Sequence, residues 1–182
     1  MGKIYLVIGG RRSGKSDFAL KYGETLIGPR AFLATCPSID EEMDQRIKRH
    51  QQERDDQIWT TIEEQINLAQ VMERDDQFNL FLIDCVTLWI NNQIFQATEQ
   101  NLIFSEAELI KCTEHLLDVC DQIKADVIFV SNEIGLGVVP NDPETRFFLD
   151  LLGRCNQILA GRSYEVFLVS CGIPVKIKKG SI

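Results

Sequence analysis

The chain has 182 residues, 45% of them hydrophobic and 25% charged, which is enough to bury one core without staples and reads as a single domain over 1–182. A net charge of −8 argues against a nucleic-acid binder, which needs a basic face, and no apolar run has the length of a membrane-crossing helix. The opening MGKIYLVIGG is apolar for only about six residues and has no small-residue cleavage site behind it, so it reads as a first strand of a cytoplasmic protein rather than a secretion signal.

KIYLVI (3–8) ends in Gly-Gly and predicts a buried strand. From Lys15 to about Ile27 the spacing of Phe18, Ala19 and Tyr22 predicts a helix. RAFLAT (30–35) predicts a second strand, and Ser38 or Asp40 can cap a polar helix from Glu41 to about Arg54. A brief extended piece at IWTTIEE precedes a helical pattern over Glu63 to Glu73. FNLFLIDC (78–85) is a strong strand, and LWINNQIF reads as a helix. The next helix, 105–123, opens on a capping-box pattern, Ser105 with Glu108 three residues later. DVIFVS (126–131) is another strand, a Gly- and Pro-bearing loop occupies 132–143, and a helix follows from about Glu144 to Ala160. YEVFLVS (164–170) and VKIK (175–178) close the series as strands. Strands alternating with helices, with near-continuous apolar strands, imply an α/β fold. Its sheet is mostly parallel with helices on both faces, and an antiparallel edge strand is allowed at the C-terminus.

In such sheets ligands sit at the carboxyl ends of the strands. Behind the first strand stands GGRRSGKS, which fits G-x-x-x-x-G-K-[ST] at Gly9, Gly14, Lys15 and Ser16. Triphosphate oxygens need several converging backbone N–H donors, and glycines let the main chain wrap that closely. The helix that follows aims its positive end at the same place. Lys15 supplies a point charge for the outer phosphates, and Ser16 a hydroxyl for Mg²⁺. Asp84 ends an apolar strand at the same sheet edge. Two roles stay open for it, an acid that helps hold Mg²⁺ or a cap for the helix beginning near Thr87. The match to the motif makes the fold P-loop NTPase-like and the ligand a nucleotide. It does not name a reaction.

Two histidines remain. His115 sits in the amphipathic helix 105–123 and reads as structural or surface. His50 lies in EEMDQRIKRHQQER, where Arg46, His50 and Arg54 recur at helical spacing on one face. Guanidiniums beside an imidazole suit an anion. They also keep the ring neutral, able to attack an α-phosphorus and form a phosphoramidate. A solvated charge-rich helix is the commoner fate of such a segment, and by these residues alone it is the stronger reading. The six cysteines are scattered without a C-x-x-C pair and read as buried free thiols rather than a zinc site or disulfide frame.

Taken together, GGRRSGKS, ATCPSIDEEMDQRIKRHQQER, WTTIEE, LIDCVTLWINN, VSNEIGLGVVP, GRCNQILA and VSCGIPVKIK resemble, in order and spacing, the bifunctional adenosylcobinamide kinase / adenosylcobinamide-phosphate guanylyltransferase family of cobalamin biosynthesis. The resemblance spans nearly the whole chain. It implies that ATP or GTP phosphorylates adenosylcobinamide, and that GTP then gives GMP to a histidine. Adenosylcobinamide phosphate takes up that GMP to yield adenosylcobinamide-GDP. The family's R-I-x-x-H histidine falls on His50. By the same resemblance Gly9, Gly10, Arg11, Arg12, Ser13, Gly14, Lys15 and Ser16 bind nucleotide phosphates. Ala34, Thr35, Cys36, Gln51, Gln52, Glu53, Arg54, Glu63 and Asp84 also face nucleotide, and Mg²⁺ falls to Ser16 and Asp84. Thr35-Cys36 departs from the more familiar Thr-Ser, and Asp84 is shorter than the Glu frequent in relatives. The loop 132–140 is open to two readings, a corrinoid-facing lip or a structural connection. Relatives form trimers, so the resemblance also implies a homo-oligomer, with no nucleic-acid partner and no membrane span. A plain P-loop small-molecule kinase with an idle histidine is the rival enzyme. A GTP-dependent switch is the rival of another class, although no N-K-x-D occurs and no D-x-x-G follows the second strand.

Overall fold

Ile4, Leu6 and Ile8 face one side of a sheet and Tyr5 and Val7 the other, and all five are buried. This double burial explains why the strands read as unbroken apolar runs instead of alternating ones. A computed structural model describes residues 2–37 and 58–180. In them β1 (Ile4–Gly9), β2 (Arg30–Ala34), β3 (Trp59–Glu63), β4 (Leu80–Asp84), β5 (Asp126–Asn132), β6 (Glu165–Ser170) and β7 (Ile173–Lys178) form one seven-stranded sheet. Its order is β3-β2-β4-β5-β1-β6-β7. Every pairing is parallel except β6 with β7, so the antiparallel edge expected at the C-terminus is present.

Helices α1 (Lys15–Glu24), α2 (Leu68–Arg74), α3 (Val86–Glu99), α4 (Glu106–Gln122) and α5 (Pro143–Arg162) cover the sheet. On one face Met72, Trp89, Leu116 and Leu152 of α2 to α5 pack on Phe81, Val127 and Phe129. On the other, among the described residues, α1 sets Phe18, Ala19 and Tyr22 on Tyr5, Phe32 and Phe167. Truncating a fully enclosed ring such as Phe129 to alanine costs about 3–5 kcal/mol, because the cavity cannot collapse in a core this dense.

The helix ends follow their capping chemistry. Ser105 Oγ accepts from the Glu108 N–H at 3.4 Å and the Glu108 carboxylate accepts from the Ser105 N–H at 2.6 Å, completing the predicted capping box. Asp142 caps α5 through the Thr145 N–H at 2.7 Å, with Pro143 in the first turn. Two expectations are corrected. Glu63 is a strand residue, paired in register with Ala34, and the following helix begins only at Leu68. The Glu64 carboxylate accepts from the N–H groups of Ile66 and Asn67, both at 2.8 Å, and holds a turn there. The first helix ends at Glu24 rather than Ile27, because Arg30 takes the carbonyls of Gly23, Glu24 and Leu26. The polar helix expected from Glu41 to Arg54 lies outside the described residues. No described helix is long and apolar enough to cross a membrane.

Candidate active site

GGRRSGKS occupies the turn between β1 and α1, at the carboxyl edge of the sheet. Gly14 is the N-cap of α1 at φ 86, a left-handed conformation that side chains resist. A Cβ there would come within 3.2 Å of the Gly172 Cα. A Cβ on Gly9 would stand 2.4 Å from the Val169 carbonyl oxygen, so Gly9 is required by close approach and Gly14 by conformation. Arg12 is also left-handed, at φ 57, and such alternation turns successive N–H groups inward into an anion-binding concavity. Gly14, the N-cap of α1, makes no side-chain cap bond, and a helix start of this kind suits an anion. The loop is tied by main-chain bonds: Ser13 N–H to Gly10 C=O at 3.2 Å, Glu133 N–H to Gly9 C=O at 3.0 Å and Gly172 N–H to Ser13 C=O at 2.8 Å. Lys15 is half-buried, with Nζ 3.4 Å from the Gly10 carbonyl oxygen. Arg11 and Arg12 are exposed, whereas Ser13 is buried.

Asp84 ends β4, which is separated from β1 by β5 alone. Two strand spacings amount to about 10 Å. The cap reading of Asp84 is excluded, since the N-cap of α3 is Cys85 and carries no side-chain cap bond. The ends of β2 and β4 are laced together at this point. Thr35 Oγ accepts from the Cys85 N–H at 2.7 Å and donates to the Cys85 carbonyl at 2.9 Å, and the Thr35 N–H donates to the Asp84 carbonyl at 3.3 Å. Asn92 Nδ2 donates to the carbonyls of Thr35 at 2.8 Å and Gln65 at 3.2 Å, drawing in the segment after β3. Asn92 went unnoticed in the sequence. Its signal is a buried amide in an otherwise apolar helical face, and such a group must find partners.

Thr35 is fully buried with its hydroxyl committed to Cys85, so its side chain holds the strand ends and does not point outward. Burial pushes the Cys85 thiol up to about 12, and the Asp84 carboxylate adds to the rise. That thiol is therefore no nucleophile near neutrality. The Lys15 ammonium opposes that rise through space. Glu63 is exposed on the outermost parallel strand, four strand positions from β1, a span of about 19 Å. The structure thus groups Gly9 to Ser16 at one place and Ala34 to Cys36, Glu63 and Asp84 along the neighbouring stretch of the same edge. His50, Gln51, Gln52, Glu53 and Arg54 lie outside the described residues. Of the cysteines, Cys120 and Cys155 are buried as expected, Cys36, Cys85 and Cys112 are half-buried, and Cys171 is exposed.

The Ser16 hydroxyl and Asp84 carboxylate are hard oxygen donors, suited to Mg²⁺, which takes few protein ligands and completes its shell with phosphate and water. Among the described residues no cluster of three or more His, Cys, Asp or Glu gathers that would favour a zinc site instead.

Residues 5–177 match the family described as cobinamide kinase / cobinamide phosphate guanyltransferase. The bifunctional adenosylcobalamin biosynthesis protein CobU of Escherichia coli K12 is 37% identical, over 96% of this chain and 99% of its own. Its namesake from Salmonella typhimurium is 36% identical over the same shares, and CobP of Pseudomonas aeruginosa is 32% identical over 95% and 96%. Solved structures with a similar fold include the RadB recombinase, at TM-score 0.50 and 18% identity over 92% of this chain and 74% of that one. A type III secretion ATPase reaches TM-score 0.61 at 10% identity, over 97% of this chain and 57% of that one. At those identities the likeness is one of fold alone.

Proposed function

The chain belongs to the cobinamide kinase / cobinamide phosphate guanyltransferase family, and on that premise we propose that it carries out both transfers in cobalamin biosynthesis. In the first, a nucleoside triphosphate phosphorylates the hydroxyl of the aminopropanol arm of adenosylcobinamide. In the second, GMP passes from GTP through His50 to the cobinamide phosphate, giving adenosylcobinamide-GDP. The observation that carries the reading is the glycine loop between β1 and α1, with Asp84 one strand beyond its neighbour, in a chain matched to the family from residue 5 to 177.

In the first transfer the acceptor oxygen attacks the γ-phosphorus, the bond to the β-phosphate oxygen breaks, and the hydroxyl proton leaves to solvent. The main-chain donors of Gly9 to Ser16 and the helix end hold the phosphates, and Lys15 meets the charge that builds on the departing oxygens. Ser16 and Asp84 would hold Mg²⁺, which would supply charge neutralisation to the phosphates. In the second transfer an imidazole nitrogen of His50 bonds to the α-phosphorus of GTP and pyrophosphate departs. A phosphate oxygen of the cobinamide phosphate then forms the new P–O bond as the N–P bond breaks. The His50 assignment rests on the R-I-x-x-H string. Ala34, Cys36 and Glu63, with Gln51 to Arg54, face the nucleotide in this step.

The test incubates the protein with Mg²⁺, α-phosphate-labelled GTP and adenosylcobinamide, and weighs products and protein. Wild type should yield adenosylcobinamide phosphate and adenosylcobinamide-GDP, and a protein-bound label that is acid-labile and base-stable. His50→Ala should lose the label and the GDP product while keeping most of the phosphorylation. Retained label in that variant refutes the covalent role. Phosphorylation without any label in wild type leaves a kinase alone.

A further inference from the structure

Single exposed apolar side chains are ordinary, but a group of them rimming a binding site marks a surface covered in use. Among the described residues two such places flank the phosphate loop, because β5 and β6 are the two neighbours of β1. The segment leaving β5 is anchored at both ends. At its root the Glu133 N–H donates to Gly9 C=O at 3.0 Å and the Asn132 N–H donates to Thr87 Oγ at 3.0 Å. At its far end Arg146 donates to the carbonyls of Pro140 at 2.8 Å and Asn141 at 2.7 Å. Between the anchors Leu136, Val138 and Val139 are 83%, 94% and 73% exposed. Ile134 packs on the core, whereas those three join neither core cluster. On the opposite flank, the turn after β6 is bonded to the loop through Gly172, and the next residue, Ile173, is 65% exposed.

A triphosphate seated in the glycine loop offers these side chains nothing, since its outer groups are polar. The acceptor does. Its hydroxyl must reach the γ-phosphate, so the rest of the acceptor has to pass over a rim of the loop. A corrinoid is a broad macrocycle whose rim carries methyl groups between its amide side chains, and ligand sites of that size are lined mainly by apolar side chains with a few polar groups. A stable contact between copies takes roughly 20–30 residues a side; Val175 and Ile177, 52% and 56% exposed, extend the Ile173 flank along β7, and contact between copies there is the outcome that the molar mass tests. We propose that Leu136, Val138 and Val139, with Ile173 across the phosphate loop, seat the corrin macrocycle of the acceptor and present its hydroxyl-bearing arm to the triphosphate. This rests on the function proposed above.

The experiment compares wild type with the combined Leu136→Ser, Val138→Ser, Val139→Ser variant, with Ile173→Ser, and with Ile27→Ser. Ile27 is 94% exposed and precedes β2, at the opposite edge of the sheet. Cobinamide phosphorylation, equilibrium dialysis of cobinamide, binding of a fluorescent GTP analogue and molar mass by light scattering are measured on each. The triple variant should raise the cobinamide KM and dissociation constant at least tenfold, and Ile173→Ser about threefold. Nucleotide affinity, mass and the Ile27→Ser protein should stay at wild-type values. Unchanged cobinamide affinity in the triple variant overturns the proposal, as does a change of mass, which would assign the rim to subunit contact. Weakened GTP-analogue binding equal to the corrinoid effect also overturns it, by making the rim a support of the loop. A wild-type protein that neither binds nor phosphorylates cobinamide refutes the underlying function instead.

Discussion

The two stretches of the sheet edge that we propose face nucleotide are built in opposite ways. Around β1 the chain supplies main-chain donors, and its own ties, from Glu133 to Gly9 and from Gly172 to Ser13, are also main chain to main chain. Around β2, β3 and β4 the strand ends are locked by side chains, Thr35 against Cys85 and Asn92 against Thr35 and Gln65. The difference follows from what each stretch offers. A phosphate cradle has to let oxygens touch backbone N–H groups, so side chains are cleared away. A stretch that offers the carboxylates of Asp84 and Glu63 must keep side chains, and it fixes them by bonding the strand ends together.

The harshest way to break this contrast is to remove charge from the first stretch. Lys15→Ala should lower both half-reactions by about a hundred- to a thousandfold, the usual loss for a preorganised electrostatic partner, with little change in melting temperature. If either half-reaction kept its wild-type rate, a shared triphosphate seat would be refuted. A gentler variant probes the second stretch. Thr35→Val keeps the shape but leaves the Cys85 N–H unpaired, which should cost about 1–3 kcal/mol in urea unfolding. Guanylyl transfer should fall more than phosphorylation, and a uniform loss would deny the two stretches separate duties.

The smallest effect comes from the thiols. Burial pushes Cys85, Cys120 and Cys155 up to about 12 from an unfolded value of 9.0. The unfolded chain therefore releases these protons first. The stability they contribute is fully present below pH 9.0 and is lost as pH rises toward 12. Unfolding free energy should fall across that window, and replacing Cys155 with alanine should flatten the slope. At pH 8 a maleimide should label the exposed Cys171 beside the phosphate loop and spare Cys85.

The first stretch was readable because its constraints are local. Gly9 to Ser16 form one string, and the turn that needs left-handed backbone and close approach announces itself through glycines. Much of the second was not. Thr35 lies 50 residues from Cys85 and 57 from Asn92, and no spacing rule joins such partners. Glu63 was drawn into a helix by its polar neighbours until pairing with β2 claimed it for a strand.

Sequence alone determined the strand–helix alternation, the double-sided burial of the strands, the capping box at Ser105 and the phosphate loop, because each depends on residues a few positions apart. Tertiary structure alone decided the strand order, and with it the single strand between Asp84 and Gly9 and the distance of Glu63 from the loop. It also decided that Thr35 turns inward and that the segments bearing Leu136, Val138 and Ile173 are rooted on the loop through Glu133 and Gly172. Those outcomes depend on which distant segments become neighbours, and packing of the whole core sets that choice.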